Sequence, residues 1–530
     1  MNLPLSPLRF KERAARLFPN KVGVVCGDGR FTYREFAGRA DRLSAALLRL
    51  GIGPGDRVAF FSLNCHRLLE AYYGVVQIGA ILLPLNVRLA PADFVFILND
   101  AGAGALFVEP DFLPVWRQIR GELKTVRRVI LLADEAAGPA EADGNYETLI
   151  AREAAAPPPA APPVGEDAVA ELFYTSGTTG SPKGVMLTHR NLYLHAFNAA
   201  LSLQYTDADI QVHTIPLFHV NGWGTPQFLT MVGGTHVMLR RFDPSDLCAV
   251  VQRERATRFF LVPTMANALL NTPGLERFDL ASLRRIVVGG SPGAPALFQR
   301  LEERLGCLCH TGYGLSETTP ILTMAVPQAH RPETGEARYR RLATTGQEVP
   351  GVELRVVDEQ GRDVPQDEKT IGEIVVRGDA VMAGYWNQPE ETARVIRDGW
   401  FHTGDMAVWD AERYVLIVDR KKDVIISGGE NISSIEIENV LFTHPAVLES
   451  VVVSVPDEQW GEVPKAVVVI REGAAASEDE ILAYCRERLA RFKAPRSVDF
   501  VPALPKGGTG KILKREVRER YWASQAKRVH

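Results

Sequence analysis

The chain has 530 residues, of which 46% are hydrophobic and 23% are charged, and its formal net charge is −4. This length exceeds what one hydrophobic core supports, so at least two domains are predicted. The small net charge argues against a general nucleic-acid partner, and six cysteines in so long a chain argue against a disulfide scaffold.

The N-terminal region has prolines where a signal peptide would need an apolar run. The longest apolar stretch, from Ala71 to Val87, is interrupted by Gln77 and Pro84 and is too broken to span a bilayer. We therefore expect no integral membrane segment and a cytoplasmic location.

Short β-rich runs alternate with amphipathic helical patterns along the chain, which indicates an α/β fold. Ala170–Tyr174 is predicted to form one strand, and Arg285–Gly290 is predicted to form a second, buried one. Pro295 and Gly306 are typical of the start and the end of the helix that follows the second strand.

The segment Thr175–Gly184 (TSGTTGSPKG) directly follows the first of these strands. Its glycines let the backbone approach a ligand closely, and its hydroxyls, amides and lysine are donors that suit a polyphosphate. It differs from a Walker loop, in which the lysine precedes Ser or Thr, because here Lys183 precedes a glycine. The residues predicted to bind a polyphosphate are Thr175, Ser176, Gly177, Thr178, Thr179, Gly180 and Lys183.

This loop resembles the phosphate loop of the adenylate-forming superfamily, which includes acyl-CoA synthetases, adenylation domains of peptide synthetases and firefly-type luciferases. The resemblance extends from Phe31 to Lys511, with the motifs in the same order. It implies a large N-terminal domain of stacked α/β subdomains and a small, mobile α+β C-terminal domain. It also implies that ATP, coenzyme A and a carboxylic acid are the substrates and that Mg²⁺ is the cofactor. Members of the superfamily are often dimers, so the resemblance allows a homodimer.

The segment Leu217–Trp223 (LFHVNGW) resembles the acyl-pocket segment of fatty acyl-CoA synthetases. By that resemblance, His219 lies near the carboxylate of the acid, and Trp223 is at the place of a tryptophan that gates the acyl tunnel. The glycines in and near this segment leave room, which favours a chain or a ring over acetate. The predicted acyl pocket consists of His219, Asn221, Gly222, Trp223, Gly289, Gly290 and Ser291.

The segment Gly312–Thr319 (GYGLSETT) resembles the second motif of the superfamily. By that resemblance, Tyr313 stacks on adenine, Ser316 contacts the α-phosphate, and Glu317 holds Mg²⁺ together with Thr175. The chemistry agrees, because Mg²⁺ is commonly bound by one or two protein oxygens together with phosphate oxygens. The nucleotide-binding residues implied here are Gly312, Tyr313, Gly314 and Ser316, and the implied metal ligands are Thr175 and Glu317.

Two further motifs resemble those that hold the ribose and join the domains. Asp405, at the end of the run WFHTGD, is at the place of an aspartate that binds both ribose hydroxyls, and a carboxylate is suited to this. The charged run Asp419–Asp423 resembles the hinge, in which Arg420 contacts the nucleotide and Lys422 is the pivot. The predicted division is an N-terminal domain at 1–419, a hinge at 420–422 and a C-terminal domain at 423–530.

The last hundred residues are predicted to form a small α+β unit. Ser433 and Ser477 each precede a glutamate by three residues, which is typical of helix N-caps. Strands are predicted at Ser450–Val455 and Ala466–Ile470. One turn resembles the turn that enters the active site for thioester formation, and it consists of Ser427, Gly428, Gly429 and Glu430.

Lys511 ends the run PKGGTGK, which resembles the C-terminal motif of the superfamily. By that resemblance it reaches the acyl carboxylate and the α-phosphate, so Lys511, Glu317 and His219 are the predicted catalytic residues. The whole set implies an AMP-forming acid–CoA ligase that makes an acyl adenylate and then acyl-CoA. A medium- to long-chain fatty acid is the expected substrate. An aryl-acid CoA ligase and a stand-alone adenylating module that loads a carrier protein remain alternatives.

Overall fold

The computed structural model describes residues 3–133, 142–153, 164–175, 182–420, 423–427, 430–457, 459–507 and 511–522. Within these ranges the strands form four sheets, three before residue 421 and one after residue 422. Helices alternate with strands over much of the chain. The predicted α/β fold, with a large N-terminal and a smaller C-terminal part, is confirmed.

The helices and strands follow one another in this order along the chain. The elements up to residue 153 are α1 (Leu8–Leu17), β1 (Val22–Cys26), β2 (Gly29–Thr32), α2 (Tyr33–Arg49), β3 (Arg57–Phe61), α3 (His66–Gly74), β4 (Ile81–Pro84), α4 (Pro91–Ala101), β5 (Ala103–Val108), α5 (Leu113–Ile119), β6 (Arg128–Leu131), β7 (Gly144–Asn145) and α6 (Tyr146–Ala151). The next are β8 (Val169–Thr175), β9 (Lys183–Thr188), α7 (His189–Leu203), β10 (Ile210–His213), α8 (Val220–Val232), β11 (Thr235–Met238), α9 (Pro244–Glu254), β12 (Arg258–Leu261), α10 (Pro263–Leu270), β13 (Arg285–Gly289), α11 (Pro295–Leu305), β14 (Leu308–Gly314), β15 (Ile321–Met324) and α12 (Gly335–Leu342). The N-terminal part ends with β16 (Gln347–Glu348), β17 (Val352–Val357), β18 (Gly372–Gly378), β19 (Gly384–Tyr385), α13 (Pro389–Val395), β20 (Ile396–Arg397), β21 (Trp400–Trp409) and β22 (Val415–Arg420). The C-terminal part contains β23 (Ile425–Ser427), β24 (Glu430–Ile432), α14 (Ser434–Phe442), β25 (Val447–Asp457), β26 (Gly461–Ile470), α15 (Glu478–Arg488), β27 (Ser497–Phe500) and α16 (Lys514–Trp522).

The sheets of the N-terminal part share one hydrophobic core, and the C-terminal part has cores of its own. The strand orders in the N-terminal part are β16-β15-β14-β13-β12-β10-β11-β1-β2, β19-β9-β8-β4-β3-β5-β6-β7, and β17-β18-β21-β20 with β22 beside β21. Phe60, Phe259 and Val376, one from each of these sheets, belong to the same buried cluster. The C-terminal sheet has the order β24-β23-β26-β25, with β27 beside β26. Val468 and Ile481 belong to a separate cluster there, as expected for a small unit with its own core.

Several parallel strands of one sheet end at the same edge. The strands β10, β12, β13 and β14 are parallel neighbours. Because the carboxyl ends of parallel strands meet at one edge, the segments that follow them lie together, which is where open α/β sheets place their ligands. The chain leaving β10 carries His219, the chain leaving β13 carries Gly290, and β14 itself ends in Tyr313–Gly314.

Local signals in the sequence correspond closely to the observed boundaries. The side chain of Ser433 accepts a hydrogen bond from the Glu436 backbone at the start of α14, and Ser477 with Glu480 forms a complete capping box at α15. The predicted strand 285–290 is β13, and the helix after it starts at Pro295 and is capped by Gly306 in the left-handed region. In the described ranges, no helix combines the length and apolar character needed to cross a membrane.

Contacts on both sides of the predicted hinge join the two parts of the chain. Asp419, at the end of the N-terminal part, accepts hydrogen bonds from the backbone (3.0 Å) and hydroxyl (2.5 Å) of Ser434 in α14. Farther away, the Asn267 amide donates to the carbonyl of Leu448 at 3.1 Å. With the two parts joined in this way, Lys511 of the C-terminal part lies against residues of the N-terminal part.

Candidate active site

A cavity of about 690 Å³ lies where these segments meet. Every predicted motif of the N-terminal part contributes residues to its wall, although Asp405 of the ribose motif does not line it. One residue of the C-terminal part, Lys511, also lines the cavity. The predicted site residues that line it are Thr175, Lys183, His219, Trp223, Gly290, Gly312, Tyr313, Gly314, Ser316, Glu317, Arg420 and Lys511. The structure therefore brings together side chains that are as far as 336 positions apart in the sequence.

Asp405 is buried directly behind this wall and is held by two donors. The Tyr313 hydroxyl donates to Oδ2 at 2.7 Å, and Nε of Arg420 lies 3.1 Å from Oδ1. Strands β21 and β22 set this geometry, because Asp405 and Arg420 are directly opposite each other in their ladder. Burial, followed by the charge of Asp405, raises the pKa of the Tyr313 hydroxyl, so that group remains a neutral donor. The arrangement fixes a carboxylate beside the predicted adenine platform.

Glu317 and Thr175 are oxygen donors on the same cavity wall. Glu317 belongs to a short 3-10 turn at Ser316–Thr318, and its Oε1 accepts a 2.8 Å hydrogen bond from the Tyr385 hydroxyl. A carboxylate and a hydroxyl are the ligand types that Mg²⁺ accepts alongside phosphate oxygens. The residues present therefore fit the expected metal.

Lys183 contacts a carboxylate that the sequence did not suggest. Its ammonium forms an ion pair with Glu391 of α13 and lies 5.3 Å from the centre of the Tyr385 ring. Hydrogen bonds from Arg394 and then from Lys183 lower the pKa of Glu391 to about 2, so this partner is an anion at neutral pH. A phosphate group that binds Lys183 thus has to compete with Glu391 for it.

Lys511 and His219 are neighbours, and at neutral pH only Lys511 is charged. Burial lowers the pKa of Lys511 to about 8, with a further lowering by Arg420 and an opposing effect of Asp405. Burial also lowers the pKa of His219 to about 3, helped by the charge of Lys511. His219 is therefore a neutral hydrogen-bonding group, whereas Lys511 carries the positive charge.

This pKa leads to a prediction about the pH dependence of adenylate formation. A lysine is charged below its pKa, so the active form of Lys511 is present below about pH 8 and is lost above it. With the acid saturating, the single-turnover rate of pyrophosphate release should be level below this value and fall about tenfold per pH unit well above it. Lys511→Arg is the control, since a guanidinium stays charged and should remove the inflection. An unchanged inflection in the arginine variant would assign it to another group.

The acyl segment has an unusual backbone. All residues from Val220 to Gly224 have positive φ, with values from 33° to 83°. The Trp223 ring stacks on Phe260 of β12, with ring centres 5.5 Å apart and an interplanar angle of 26°. A Cβ atom added at Gly290 would lie 3.0 Å from Cε of Lys511 and 3.4 Å from the Trp223 ring. Trp223, on the predicted acid side of the cavity, and Lys511 thus both approach Gly290 closely.

Four predicted pocket residues do not reach the cavity wall. Asn221 is fully buried and its amide donates to Glu171 at 3.0 Å, because the left-handed backbone turns it toward the core. Gly222 faces Leu217 in the same interior. Gly289 lies beneath the Trp223 ring, which itself lines the cavity, and Ser291 is exposed.

The predicted CoA turn lies on the C-terminal sheet. Ser427 and Glu430 face each other across β23 and β24, and Ser427 also pairs with Gly461. Neither residue lines the cavity in this arrangement. Gly428, Gly429, Lys422 and the loop residues Ser176, Gly177, Thr178, Thr179 and Gly180 lie outside the described residues, so their roles stay predictions.

Sequence reasoning missed several partners of the motif residues. Tyr385 holds Glu317, Glu391 holds Lys183, and Phe260 supports Trp223. The only signal for the first two is the short run from Gly384 to Glu391, in which an aromatic pair precedes a helix start. Phe260 belongs to the apolar strand β12, and nothing in the sequence distinguishes it there from an ordinary residue of the hydrophobic core.

Comparisons with known proteins cover both parts of the chain. The AMP-binding enzyme family matches residues 11–386, and the AMP-binding enzyme C-terminal domain matches residues 436–511. A long-chain-fatty-acid–CoA ligase of Thermus thermophilus is 40% identical over 521 residues, covering 97% of this chain and 95% of its own. A feruloyl-CoA synthase of an Amycolatopsis species is also 40% identical, over 512 residues, covering 96% of this chain and 98% of its own.

Solved structures extend the comparison to the whole fold. The crystal structure of an anthranilate CoA ligase with anthranoyl-AMP has a TM-score of 0.89 at 27% identity, covering 98% of each chain. A benzoate CoA ligase from Burkholderia xenovorans has a TM-score of 0.86 at 28% identity, covering 97% of this chain and 100% of its own. The chain therefore belongs to the AMP-binding enzyme family of the adenylate-forming superfamily and is an ATP-dependent, AMP-forming acid–CoA ligase.

Proposed function

We propose that the acid activated by this ligase is a medium- to long-chain fatty acid and that Mg²⁺ is its cofactor. The observation that carries the substrate proposal is the stack of Trp223 on Phe260 at the cavity wall. The same cavity wall also contains the apolar side chains of Val220, Val287, Ile321 and Met324. A hydrocarbon chain gains free energy by leaving water for such a surface.

In the first half-reaction, a carboxylate oxygen of the acid attacks the α-phosphorus of ATP and the bond to pyrophosphate breaks. Lys511 supplies a positive charge where negative charge develops on the phosphoryl oxygens. His219, being neutral, can donate a hydrogen bond to the acid without attracting it as an ion pair. Asp405 and Tyr313 hold the nucleoside. Glu317 and Thr175 would hold Mg²⁺, which neutralises phosphate charge when bound.

In the second half-reaction, the thiolate sulfur of CoA attacks the acyl carbon, and AMP leaves with the bonding electrons. Lys511 and the turn at 427–430 both belong to the C-terminal part, and of the described residues Ser427, Glu430 and Lys511 only Lys511 lines the cavity. We propose that the C-terminal part rotates about Lys422 between the two steps, bringing that turn to the site. The homodimer and the cytoplasmic location stay predictions.

An aryl acid is a second candidate substrate. The same Trp223–Phe260 stack offers a flat surface on which an aromatic ring can lie at a favourable distance. The relatives support this candidate too, since a feruloyl-CoA synthase is as similar to the chain as the fatty-acid ligase is.

The two candidates are separated by pyrophosphate release over a panel of aliphatic and aryl acids, with ATP and CoA present. We expect kcat/KM to rise with chain length from butyrate to fatty acids of medium and long chain, because each buried methylene contributes about 0.8 kcal/mol, roughly fourfold. Turnover confined to benzoate- or cinnamate-like acids would overturn the fatty-acid proposal and leave the aryl one.

A further inference from the structure

The left-handed segment Val220–Gly224 places both His219 and Trp223 at the cavity, although such a backbone is unfavourable. Val220, Asn221 and Trp223 are non-glycine residues in the left-handed region. Conformations of this kind persist only where the surroundings hold them. The contacts that hold this segment therefore decide where the acid-facing side chains lie.

Helix α3 holds the chain on both sides of the segment. The Tyr72 hydroxyl donates to the carbonyl of Leu217 at 2.6 Å, before the left-handed run. The Tyr73 hydroxyl donates to the carbonyl of Pro226 at 2.7 Å, after it. Both tyrosines are almost completely buried. These bonds fix the chain at Leu217 and at Pro226, but they involve no residue of Val220–Gly224.

The middle of the segment is held by Glu171 of β8. This carboxyl is fully buried, and it accepts 3.0 Å and 2.7 Å hydrogen bonds from the side-chain amides of Asn221 and Gln227. Asn221 lies inside the left-handed run, and Gln227 lies in the right-handed helix that follows. Glu171 thus ties the two backbone conformations together at the point where they meet.

We propose that Glu171 is a positioning residue for the acid substrate, which acts by holding Val220–Gly224 so that His219 and Trp223 face the cavity. This inference rests on the proposed acid site and adds to it a residue that touches neither substrate. Glu171 is four positions before Thr175 on the same strand, so it also ties the acid side to the strand that enters the phosphate loop.

Two amide oxygens next to Glu171 have no hydrogen-bond partner, and they indicate which protonation state of Glu171 holds the segment. Asn221 Oδ1 and Gln227 Oε1 are buried and have no hydrogen-bond partner. A carboxylic acid can donate to one such oxygen once the amide is turned over, whereas a carboxylate cannot. Burial raises the pKa of Glu171 to about 8, in spite of the two amide donors, so the neutral acid predominates at neutral pH.

The titratable groups near Glu171 and the segment leave this neutral form favoured. Tyr72 and Tyr73 of α3 interact with Glu171, and burial raises the pKa of both hydroxyls, so both are neutral. His195 of α7 packs against Gly224 of the segment, and burial lowers its pKa to about 3, so it is neutral too. Ionised Glu171 would therefore have only the two amides as partners among the described residues, and the segment should loosen above about pH 8.

The test compares Glu171→Gln and Glu171→Leu with the wild-type enzyme, using the best acid of the panel. The leucine variant should raise the KM for the acid about tenfold, because it leaves the two buried amides without a partner, and should change the KM for ATP less than about twofold. Glutamine can donate and accept as the neutral acid does, so it should restore the KM for the acid. Glu153→Leu, which removes a buried carboxyl that forms an ion pair with Arg49, is the control for general destabilisation. It should leave the ratio of the two KM values unchanged.

The pH profile gives a second readout that does not depend on the leucine variant folding. The wild-type kcat/KM for the acid, divided by that of Glu171→Gln, should be constant below about pH 8 and fall above it. Titration of Lys511 cancels in this ratio, because both enzymes contain it. A ratio that stays constant, or equal increases in both KM values in the leucine variant, would overturn the proposal. If the wild type uses only aryl acids, the substrate proposal fails, and the same comparison with an aryl acid still tests Glu171.

Discussion

Replacing Lys511 with alanine is expected to slow adenylate formation by about 10²–10³-fold, the effect of losing one group that stabilises transition-state charge. The structure places this lysine at the cavity, next to Gly290 and His219. Thioester formation from supplied acyl adenylate should survive, because the sulfur attacks a carbon that is already activated. Rapid-quench measurement of acyl adenylate, and of acyl-CoA from supplied adenylate, separates the two steps.

Lys506→Ala is the matched control for this variant. Lys506 belongs to the same glycine-containing segment, but its ammonium forms an ion pair with Glu449, away from the cavity. The control should retain both half-reactions. Equal losses of both half-reactions in the Lys511 variant would show that Lys511 is structural or acts in both steps.

Replacing Lys422 with proline is expected to give one burst of acyl adenylate followed by almost no acyl-CoA, a loss of about 10²-fold in steady-state turnover. Proline fixes its own φ near −65° and restricts the residue before it, so a pivot that needs two backbone conformations keeps only one. The retained state should be the adenylating one, which agrees with Lys511 lying at the cavity.

Contacts across the predicted hinge define what such a rotation has to change. Ser434 binds Asp419, and Asn267 binds Leu448, each joining one part of the chain to the other. Lys422→Ala is the control, because it removes the same cation without restricting the backbone, and it should keep both steps. If the proline variant forms acyl-CoA at the rate of the alanine variant, Lys422 is not the pivot.

The sequence predicted best where a residue acts through local backbone chemistry. Ser433 and Ser477 cap helices because their hydroxyls meet amides three residues away, and Gly306 ends a helix because it accepts a left-handed conformation. His219, Gly290 and the motif at Gly312–Glu317 also reach one cavity, since they follow or end neighbouring parallel strands of one sheet. Such features depend on a few adjacent residues or on strand order, and both can be read from a linear pattern.

The sequence predicted least where the outcome depends on partners far along the chain. Asn221 lies two residues from Trp223, yet the left-handed backbone turns it to Glu171, fifty positions earlier, and away from the cavity. Lys183 is bound by Glu391, and Glu317 by Tyr385. No periodicity encodes a run of positive φ values or a pairing across two sheets, because both follow from packing that forms only in the folded chain.

The close approach at Gly290 has a consequence for how acid preference can diverge among related enzymes. Its φ of 81° already disfavours any side chain, and a Cβ atom there would lie 3.0 Å from Cε of Lys511 and 3.4 Å from the Trp223 ring. A larger residue at this position would therefore narrow the acid pocket and crowd Lys511 at the same time. Because Lys511 is the proposed charge donor for adenylate formation, we expect acid preference to diverge through Trp223 or Phe260 rather than through position 290.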